Sequence, residues 1–310
     1  MGHYVIIGGG GFLGAHIIST LQKNEFDRRI IVVDPTPRKF ETVQVDEKLV
    51  TYWKVDSKIL NQVLPGACAV FHLAAIGHTG ACAGNKKLVH DFNVLGTEQL
   101  LEKCREHGVR RFIFASSVAV SFVGEPLYNV SEDEKLPDPR KYLNHYSASK
   151  AEAEQLVLSQ STEKFKTVCL RFRAIYGAED PNVTEKVANL IRRGLFIGMM
   201  SVHGREPISA ASSAVNCAQS FYLADQMLQQ KGVLSKFDLA ILATDNTYSI
   251  ERARRELEYS PAPCQMPEAA EYYKKLKDVR NTPFFSQTFL IFLVVITLSI
   301  FLAFIFPQYK

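Results

Sequence analysis

The chain has 310 residues, a net charge of +4 and a pI near 8.6. That length suits one large α/β domain with a small appendage. Charged residues of both signs are interspersed, and no long basic block is laced with aromatic residues, so no nucleic-acid partner is expected. The six cysteines show no C-x-x-C spacing, which predicts reduced thiols and no metal site.

A glycine-rich turn follows the first predicted strand, His3 to Ile7, and precedes a predicted helix from Ala15 to Leu21. Gly8, Gly11 and Gly14 give the spacing G-x-x-G-x-x-G. The first glycine lets the strand turn sharply, the second lets a pyrophosphate approach the backbone, and the third lets the helix pack closely. An anion is also favoured at a helix N-terminus. The pattern therefore predicts a dinucleotide-binding turn.

Acidic residues follow the next two predicted strands. Asp34 ends the apolar run from Ile30, where a second strand presents a carboxylate to the adenosine ribose. NAD is therefore favoured over NADP, although Arg38 could soften this preference by pairing with a 2′-phosphate. Asp56 ends a third strand predicted around Leu49 to Val55. It either accepts a hydrogen bond from the adenine amino group or caps the following helix.

A fourth buried strand is predicted from Ala69 to Ala75. Ligands bind at the carboxyl ends of parallel strands, so Ala74, Ala75 and the loop from Gly77 to Gly80 should face cofactor or substrate. His72 lies within the apolar run and is interpreted as a core histidine. A helix from Asn85 to His107, a strand from Arg111 to Ala115 and a strand from Phe165 to Leu170 come next. Alternating strands and helices predict a doubly wound parallel sheet.

Two pairs in the chain have the spacing Y-x-x-x-K, which places both side chains on one helix face. Tyr146 and Lys150 follow the fifth strand, with Ser117 at the carboxyl end of that strand. Tyr273 and Lys277 lie in a lysine-rich segment close to the C-terminus and are interpreted as surface residues. The first pair is therefore the candidate for chemistry.

The C-terminal segment from Phe284 to Phe306 contains no charged residue. As a helix, Phe289 to Phe306 would extend about 27 Å, close to the thickness of a bilayer core. Basic residues are concentrated before this segment, which predicts that the globular part faces the cytoplasm. We expect a single-pass anchor, most plausibly in the endoplasmic reticulum, and no cleaved signal peptide ahead of His3.

These motifs resemble those of the extended short-chain dehydrogenases/reductases. Within them the chain is similar to the 3β-hydroxysteroid dehydrogenase/isomerase family, and more closely to its 42E subfamily of membrane steroid dehydrogenases. The resemblance covers nearly the full chain. The matching segments are Gly8–Gly14, His72–Ala75, Asn93–Thr97, Tyr146–Lys150, Leu170-Arg171, Ile175–Gly177 and Glu251–Tyr259.

The resemblance implies that Ser117 orients the substrate, Tyr146 is the acid/base, and Lys150 contacts the tyrosine and the nicotinamide ribose. A free tyrosine has a pKa near 10, so acting as a base near pH 7.5 requires a decrease of about 2.5 units. An ammonium about 4 Å away contributes up to about 4 kcal/mol at an effective dielectric near 20. Lys150, helped by the positive charge of the oxidised nicotinamide, is therefore expected to lower the pKa of Tyr146.

The implied organisation is a Rossmann-type NAD-binding domain over residues 1–180, a reduced substrate lobe over 181–280 and a transmembrane anchor over 284–306. The chain is short at the junction of Ala243–Ser249 with Glu251, where family members carry additional residues. The predicted cofactor-binding residues are Gly8, Gly11, Phe12, Leu13, Gly14, Asp34, Arg38, Asp56, Ala74, Ala75, Tyr146 and Lys150.

The leading hypothesis is oxidation of a 3β-hydroxyl of a steroid, a sterol or a similar apolar alcohol, with NAD as the cofactor. The expected partners are that lipophilic substrate and the lipid bilayer, and a homodimer is left open. One alternative is a nucleotide-sugar epimerase or reductase, whose soluble substrate gives no reason for an anchor. Another is a catalytically weak, membrane-tethered NAD-binding protein, which the short substrate lobe favours and the intact Ser117, Tyr146 and Lys150 oppose.

Overall fold

The computed structural model describes residues 2–25, 27–54, 58–195, 210–229 and 238–239, with short pieces at 254–255, 260, 267–268 and 271–272. Within these residues, seven parallel strands form the central sheet in the order β3-β2-β1-β4-β5-β6-β9. Two short strands, β7 and β8, pair outside it. The strands are β1 (His3–Ile7), β2 (Ile30–Val33), β3 (Val50–Trp53), β4 (Ala67–His72), β5 (Arg111–Ser117), β6 (Lys166–Phe172), β7 (Ile175–Tyr176), β8 (Ser212–Ser213) and β9 (Asp238–Leu239).

Helices connect the strands and cover both faces of the sheet. They are α1 (Phe12–Asn24), α2 (Ile59–Val63), α3 (Lys86–His90), a π-helical turn (Asp91–Leu95), α4 (Gly96–Glu106), α5 (His145–Ser159), α6 (Thr184–Arg192) and α7 (Ala214–Gln229). Short 3₁₀ turns lie at Glu47–Leu49, Val118–Ser121 and Pro139–Lys141.

The core has two apolar layers, one on each face of the sheet, because successive strand residues point to opposite sides. Tyr4 and Ile6 of β1 pack in the layer that contains Ile17 of α1 and Phe221 of α7. Val5 packs in the other layer, together with residues of α2, α4 and α5. This arrangement explains the nearly uniform hydrophobicity of the strands, since they are buried on both faces.

The strand order reverses between β1 and β4. The chain runs outward from β1 through β2 to β3 and then returns to place β4 on the other side of β1. In open parallel sheets, a crevice for ligands forms at the carboxyl ends of the strands on either side of such a switch point. The predicted Rossmann-type α/β fold is therefore confirmed.

Element boundaries differ from the sequence-based prediction at the site. β4 ends at His72, before the predicted end at Ala75, because the amides of Leu73 and Ala74 both donate to the Ile7 carbonyl, at 2.8 and 3.1 Å. β5 continues through Ser117. The long helix predicted from Asn85 contains the π-helical turn.

Several predictions fall on residues outside the described ones, namely Asp56, Tyr273, the junction after Ala243 and the apolar segment Phe284–Phe306. Among the helices of the described residues, none combines the length and hydropathy required to cross a bilayer. The predicted domain limits and anchor therefore stay predictions.

Candidate active site

The glycine turn joins β1 to α1 at the switch point. Gly8 has a φ of +79°, and a Cβ there would lie 2.6 Å from the Ala74 amide nitrogen, so the turn packs directly on the end of β4. A Cβ on Gly14 would lie 2.1 Å from the Gly9 carbonyl oxygen. The third glycine is thus required by the turn itself, whereas the sequence argument assigned it to packing between helix and strand.

Gly11 differs from both of these glycines, because a Cβ built there meets nothing within 4 Å. It is the N-cap of α1, and no side chain caps the helix. The first amides of a helix have no intrahelical acceptor. Those of Phe12 and Leu13 consequently face an open space in which an anion would be stabilised by the helix dipole.

The side chain of Phe12 points elsewhere. Its ring lies 5.7 Å from the ring of Phe40 and 4.9 Å from that of His16, measured between centroids. A Cβ on Gly177 would lie 2.8 Å from the Phe12 ring, so the two segments pack closely. Phe12 can therefore serve a cofactor through its backbone, while its ring holds neighbouring segments against the turn.

Asp34 contacts the glycine turn directly. Its carboxylate accepts hydrogen bonds from the Gly10 amide at 3.0 Å and the Thr36 amide at 2.9 Å. The Arg38 amide donates to the Gly10 carbonyl at 2.9 Å, and the Arg38 side chain is exposed. The structure thus brings Asp34 and Arg38 together beside the turn, where the adenosine ribose would lie.

Removing the charge of Asp34 should relax the discrimination against NADP. The matched variant is Asp34→Asn, which keeps a hydrogen-bond acceptor for the Gly10 amide. Two like charges 4 Å apart repel by about 1 kcal/mol in water and by more when partly buried, so the ratio of NADP to NAD affinity should rise about tenfold. Fluorescence titrations of both cofactors measure this ratio. Equal affinity of the unmodified chain for the two cofactors would contradict the role of Asp34.

The carboxyl end of β4 is organised by a residue that sequence reasoning did not select. Asn93 is buried in the π-helical turn, and its amide side chain bonds both the Ile76 amide (2.8 Å) and the Ile76 carbonyl (3.0 Å). It also donates to the Ser149 hydroxyl at 2.9 Å. Asn93 therefore holds the loop that follows Ala74 and Ala75 against α5. The only available signal was its place in the Asn93–Thr97 motif, which does not reveal a long-range contact.

His72 is buried at the end of β4, and its Nε2 lies 3.0 Å from the Thr97 hydroxyl. Burial, together with the nearby Lys150 charge, lowers its pKa to about 3. The ring is therefore neutral at physiological pH, in agreement with its interpretation as a core histidine.

Ser117 and Tyr146 meet at the carboxyl end of β5. Their hydroxyl groups are close enough for Ser117 to influence the pKa of the phenol, and both side chains are half-buried. Ser117 donates to the Phe172 carbonyl at 3.4 Å and accepts from the Ala119 amide at 3.2 Å. The ring of His78, on the loop after β4, lies 5.8 Å from the Tyr146 ring. The phenol of α5 is thus flanked by a residue of β5 and a residue of the loop after β4.

Lys150 lies one helical turn after Tyr146 and is buried. Its Nζ donates to the Ala115 carbonyl at 2.8 Å and lies 4.3 Å from the centre of the Phe114 ring. Burial lowers the pKa of Lys150 to about 8. The ammonium is thus directed toward the backbone of β5.

This geometry corrects the prediction that Lys150 lowers the pKa of Tyr146. Burial raises the pKa of Tyr146, and the nearby Ser117 hydroxyl opposes that increase only in part. The sequence argument placed a lysine charge beside the phenol and predicted a lowered pKa. With its pKa raised by burial, the phenol is protonated near neutral pH.

Burial of Lys150 should make stability depend on pH. Its pKa falls from 10.5 to about 8 on folding, so between these values the unfolded chain binds more protons. The free energy of unfolding should therefore rise from pH 8 to 10.5 because of this group, by up to about 3 kcal/mol. Lys150→Met should remove this contribution from urea unfolding curves compared across that range. Parallel pH profiles for the two chains would contradict the assignment.

An ion pair in the core fixes α5 relative to β6. Arg171 bonds the Glu154 carboxylate through two nitrogens, and Ser116 donates to the same carboxylate. All three side chains are buried. Glu154 is one turn beyond Lys150 on α5. The ion pair therefore fixes the position of α5 against the sheet, and with it the positions of Lys150 and Tyr146.

Comparison with known proteins agrees with this arrangement. The profile of the 3-beta hydroxysteroid dehydrogenase/isomerase family matches residues 5–241. The chain is 28% identical over 323 residues to 3beta-hydroxysteroid dehydrogenase/Delta(5)-Delta(4) isomerase 1 of Caenorhabditis elegans, covering 83% of this chain and 70% of that protein. It is 32% identical over 205 residues to short-chain dehydrogenase/reductase family 42E member 1 of Danio rerio, covering 62% of this chain and 51% of that protein.

Solved structures show the same fold. The crystal structure of UDP-glucuronic acid 4-epimerase from Bacillus cereus in complex with NAD superposes with a TM-score of 0.70, covering 88% of this chain and 97% of that chain. The two sequences are 20% identical, so the likeness concerns the fold alone. Among the curated relatives, the chain spans 70% of the nematode protein but only about half of the fish protein.

Proposed function

The chain belongs to the 3-beta hydroxysteroid dehydrogenase/isomerase family, and from that premise we propose that it is an NAD-dependent oxidoreductase acting on a hydroxyl group of a steroid, sterol or similar apolar alcohol. The observation that carries the proposal is the proximity of the Ser117 hydroxyl to the Tyr146 phenol, one helical turn before the buried Lys150. The pair lies at the carboxyl end of β5, close to the switch point of the sheet. The steroid in the name of the nematode relative supports the substrate class.

The residues present fit a bound dinucleotide. The open space at Gly11 accommodates a pyrophosphate, with the uncapped amides of Phe12 and Leu13 as its donors. Asp34 lies where it can accept hydrogen bonds from the adenosine ribose. Lys150 would hold the nicotinamide ribose. NAD⁺, when bound, would supply the hydride acceptor and a positively charged nicotinamide ring.

The protein's own residues then handle the proton. Ser117 orients the substrate hydroxyl, and Tyr146 takes its proton in the oxidation direction or returns it in the reduction direction. Because burial raises the pKa of Tyr146, the phenol is protonated near neutral pH and can act as an acid. A positive charge close to the phenol is needed to make it a base near neutral pH; Lys150 points to the Ala115 carbonyl, so the positively charged ring of a bound NAD⁺ would be the source of that charge.

The substrate class is tested by incubating the purified chain with NAD and a panel of 3β-hydroxysterols and following NADH by absorbance. We expect turnover on at least one sterol. Turnover on a UDP-sugar alone would favour the epimerase or reductase alternative. Ordinary NAD binding with no turnover on either class would favour a cofactor-binding protein without catalysis.

We further propose a reduced substrate lobe within residues 181–280 and a membrane anchor at 284–306, with the catalytic part in the cytoplasm. The lobe is supported by the short junction after Ala243, and the anchor by the uncharged C-terminal sequence. A homodimer is compatible with this arrangement.

The C-terminal anchor should determine whether the chain stays with the membrane during extraction. Alkaline carbonate extraction of microsomes should leave the full chain in the membrane pellet, since a spanning helix resists this treatment. A chain ending at Thr282 should be released to the supernatant. Full release of the intact chain would contradict the anchor, and a protease-protected globular part in intact microsomes would contradict its orientation.

A further inference from the structure

Helix α6 turns its apolar side outward. Val187, Leu190 and Ile191 are 39%, 43% and 58% exposed, and the spacing of these residues places them on one helix face. The half-buried positions of the helix include Ala188 and Asn189 instead, and none of its residues is buried. Within the part of the chain that the structure describes, this apolar face is uncovered.

Basic residues border this face. Lys186 and Arg193 lie along one edge of it, Arg192 is half-buried on the opposite side of the helix, and Glu185 is the one acidic residue between Thr184 and Arg193. Lysine and arginine can lay their aliphatic stems on an apolar surface while the charged ends reach outward. Apolar residues flanked by basic ones are typical of a helix lying in the plane of an anionic bilayer surface.

The position of α6 links this face to the candidate active site. Lys186 Nζ donates to the Thr79 hydroxyl at 3.4 Å, and Thr79 follows His78, whose ring faces Tyr146. The Asp180 carboxylate accepts hydrogen bonds from backbone amides at the start of the helix, which fixes that end. Helix α6 therefore begins beside the loop that borders the phenol.

We propose that the exposed face of α6 docks on the surface of an anionic bilayer and brings the loop beside Tyr146 close to the lipid. The proposal rests on the proposed function for one point, that the substrate is lipophilic. Such a substrate partitions into the bilayer, so an opening that faces the lipid receives it without passage through water. Docking through α6 is a second membrane contact, separate from the C-terminal anchor.

The test measures contact between α6 and lipid directly. The full chain is placed in vesicles of phosphatidylserine and phosphatidylcholine brominated on the acyl chains, which quenches tryptophan on contact. Trp53 is the only tryptophan of the chain and is removed by Trp53→Phe. In that background, Ile191→Trp should be strongly quenched. The matched control is Phe92→Trp, at a 48% exposed residue of the π-helical turn, which should be quenched far less.

The second part of the test removes positive charge from α6 or negative charge from the lipid. Arg193→Gln added to the Ile191→Trp reporter should lower the ratio of docked to undocked chain about fivefold, because one basic residue near an anionic surface contributes about that factor. Replacing phosphatidylserine by neutral lipid should also reduce quenching. Equal quenching at Ile191→Trp and Phe92→Trp would mean that tethering alone brings the protein near lipid, and would overturn the docking.

The two proposals fail in distinguishable ways. A chain that oxidises a detergent-dispersed sterol but shows no quenching at Ile191→Trp retains its function and refutes docking. Quenching at Ile191→Trp without turnover on any sterol supports docking and refutes the proposed substrate class.

Discussion

Replacing Tyr146 by phenylalanine should lower turnover by about 10²–10⁴-fold, the range that general acid–base catalysis contributes. The variant loses the group proposed to exchange a proton with a substrate hydroxyl oriented by Ser117. The ring and its packing against His78 are kept, so NAD affinity and stability should change little. Steady-state rates with a substrate identified from the sterol panel measure the effect, and cofactor titration shows that the fold is intact.

The sequence provides a control for this variant. Tyr273 begins the other Y-x-x-x-K pair, so Tyr273→Phe makes the same chemical change at the same spacing. We expect it to retain wild-type activity. Wild-type turnover by Tyr146→Phe on an authentic substrate would exclude Tyr146 as the acid/base. Ser117→Ala should reduce activity less, because it removes an orienting hydrogen bond and leaves the phenol in place.

Alanine substitutions in the glycine turn should separate folding from cofactor binding. Gly14→Ala places a Cβ 2.1 Å from the Gly9 carbonyl oxygen, so α1 or the turn must move. Such overpacking costs typically about 1–3 kcal/mol, and the melting temperature should fall by several degrees. Gly11→Ala meets nothing within 4 Å and should nearly keep the wild-type melting temperature.

The same Gly11→Ala variant should bind NAD at least tenfold more weakly, since its methyl group occupies the space assigned to the pyrophosphate. Calorimetric melting and NAD titration of both variants provide the comparison. Gly84→Ala is the control, because a Cβ there also meets nothing within 4 Å. Wild-type NAD affinity in Gly11→Ala would show that the cofactor does not approach this residue.

Substrate affinity depends on parts of the chain beyond this turn. A sterol needs a long apolar pocket, and the reduced substrate lobe that we propose would leave less chain to wall it. Under that proposal, docking of α6 on lipid would shield the part of the pocket that the shortened lobe leaves open. The two features together are consistent with a site that is completed at the membrane surface.

The sequence by itself determined the fold class and the local chemistry. Runs such as Ile30–Val33 are apolar at every position, which identifies strands buried on both faces, and the Gly8–Gly14 turn occurs between a strand and a helix. The Tyr146–Lys150 pair could be placed on one helix face, because that relation depends only on helical periodicity. All of these features are set by residues close together in the chain.

Only the tertiary structure decided the relations between distant residues. Asn93 contacts Ile76 and Ser149 through a π-helical turn that no periodicity predicts. The direction of the Tyr146 pKa change depends on how deeply the phenol is buried and on where the lysine points, and Lys150 points to the Ala115 carbonyl. Burial and long-range hydrogen bonds arise when separate segments pack together. A sequence pattern records the residues that can make such contacts, and the fold decides which of them meet.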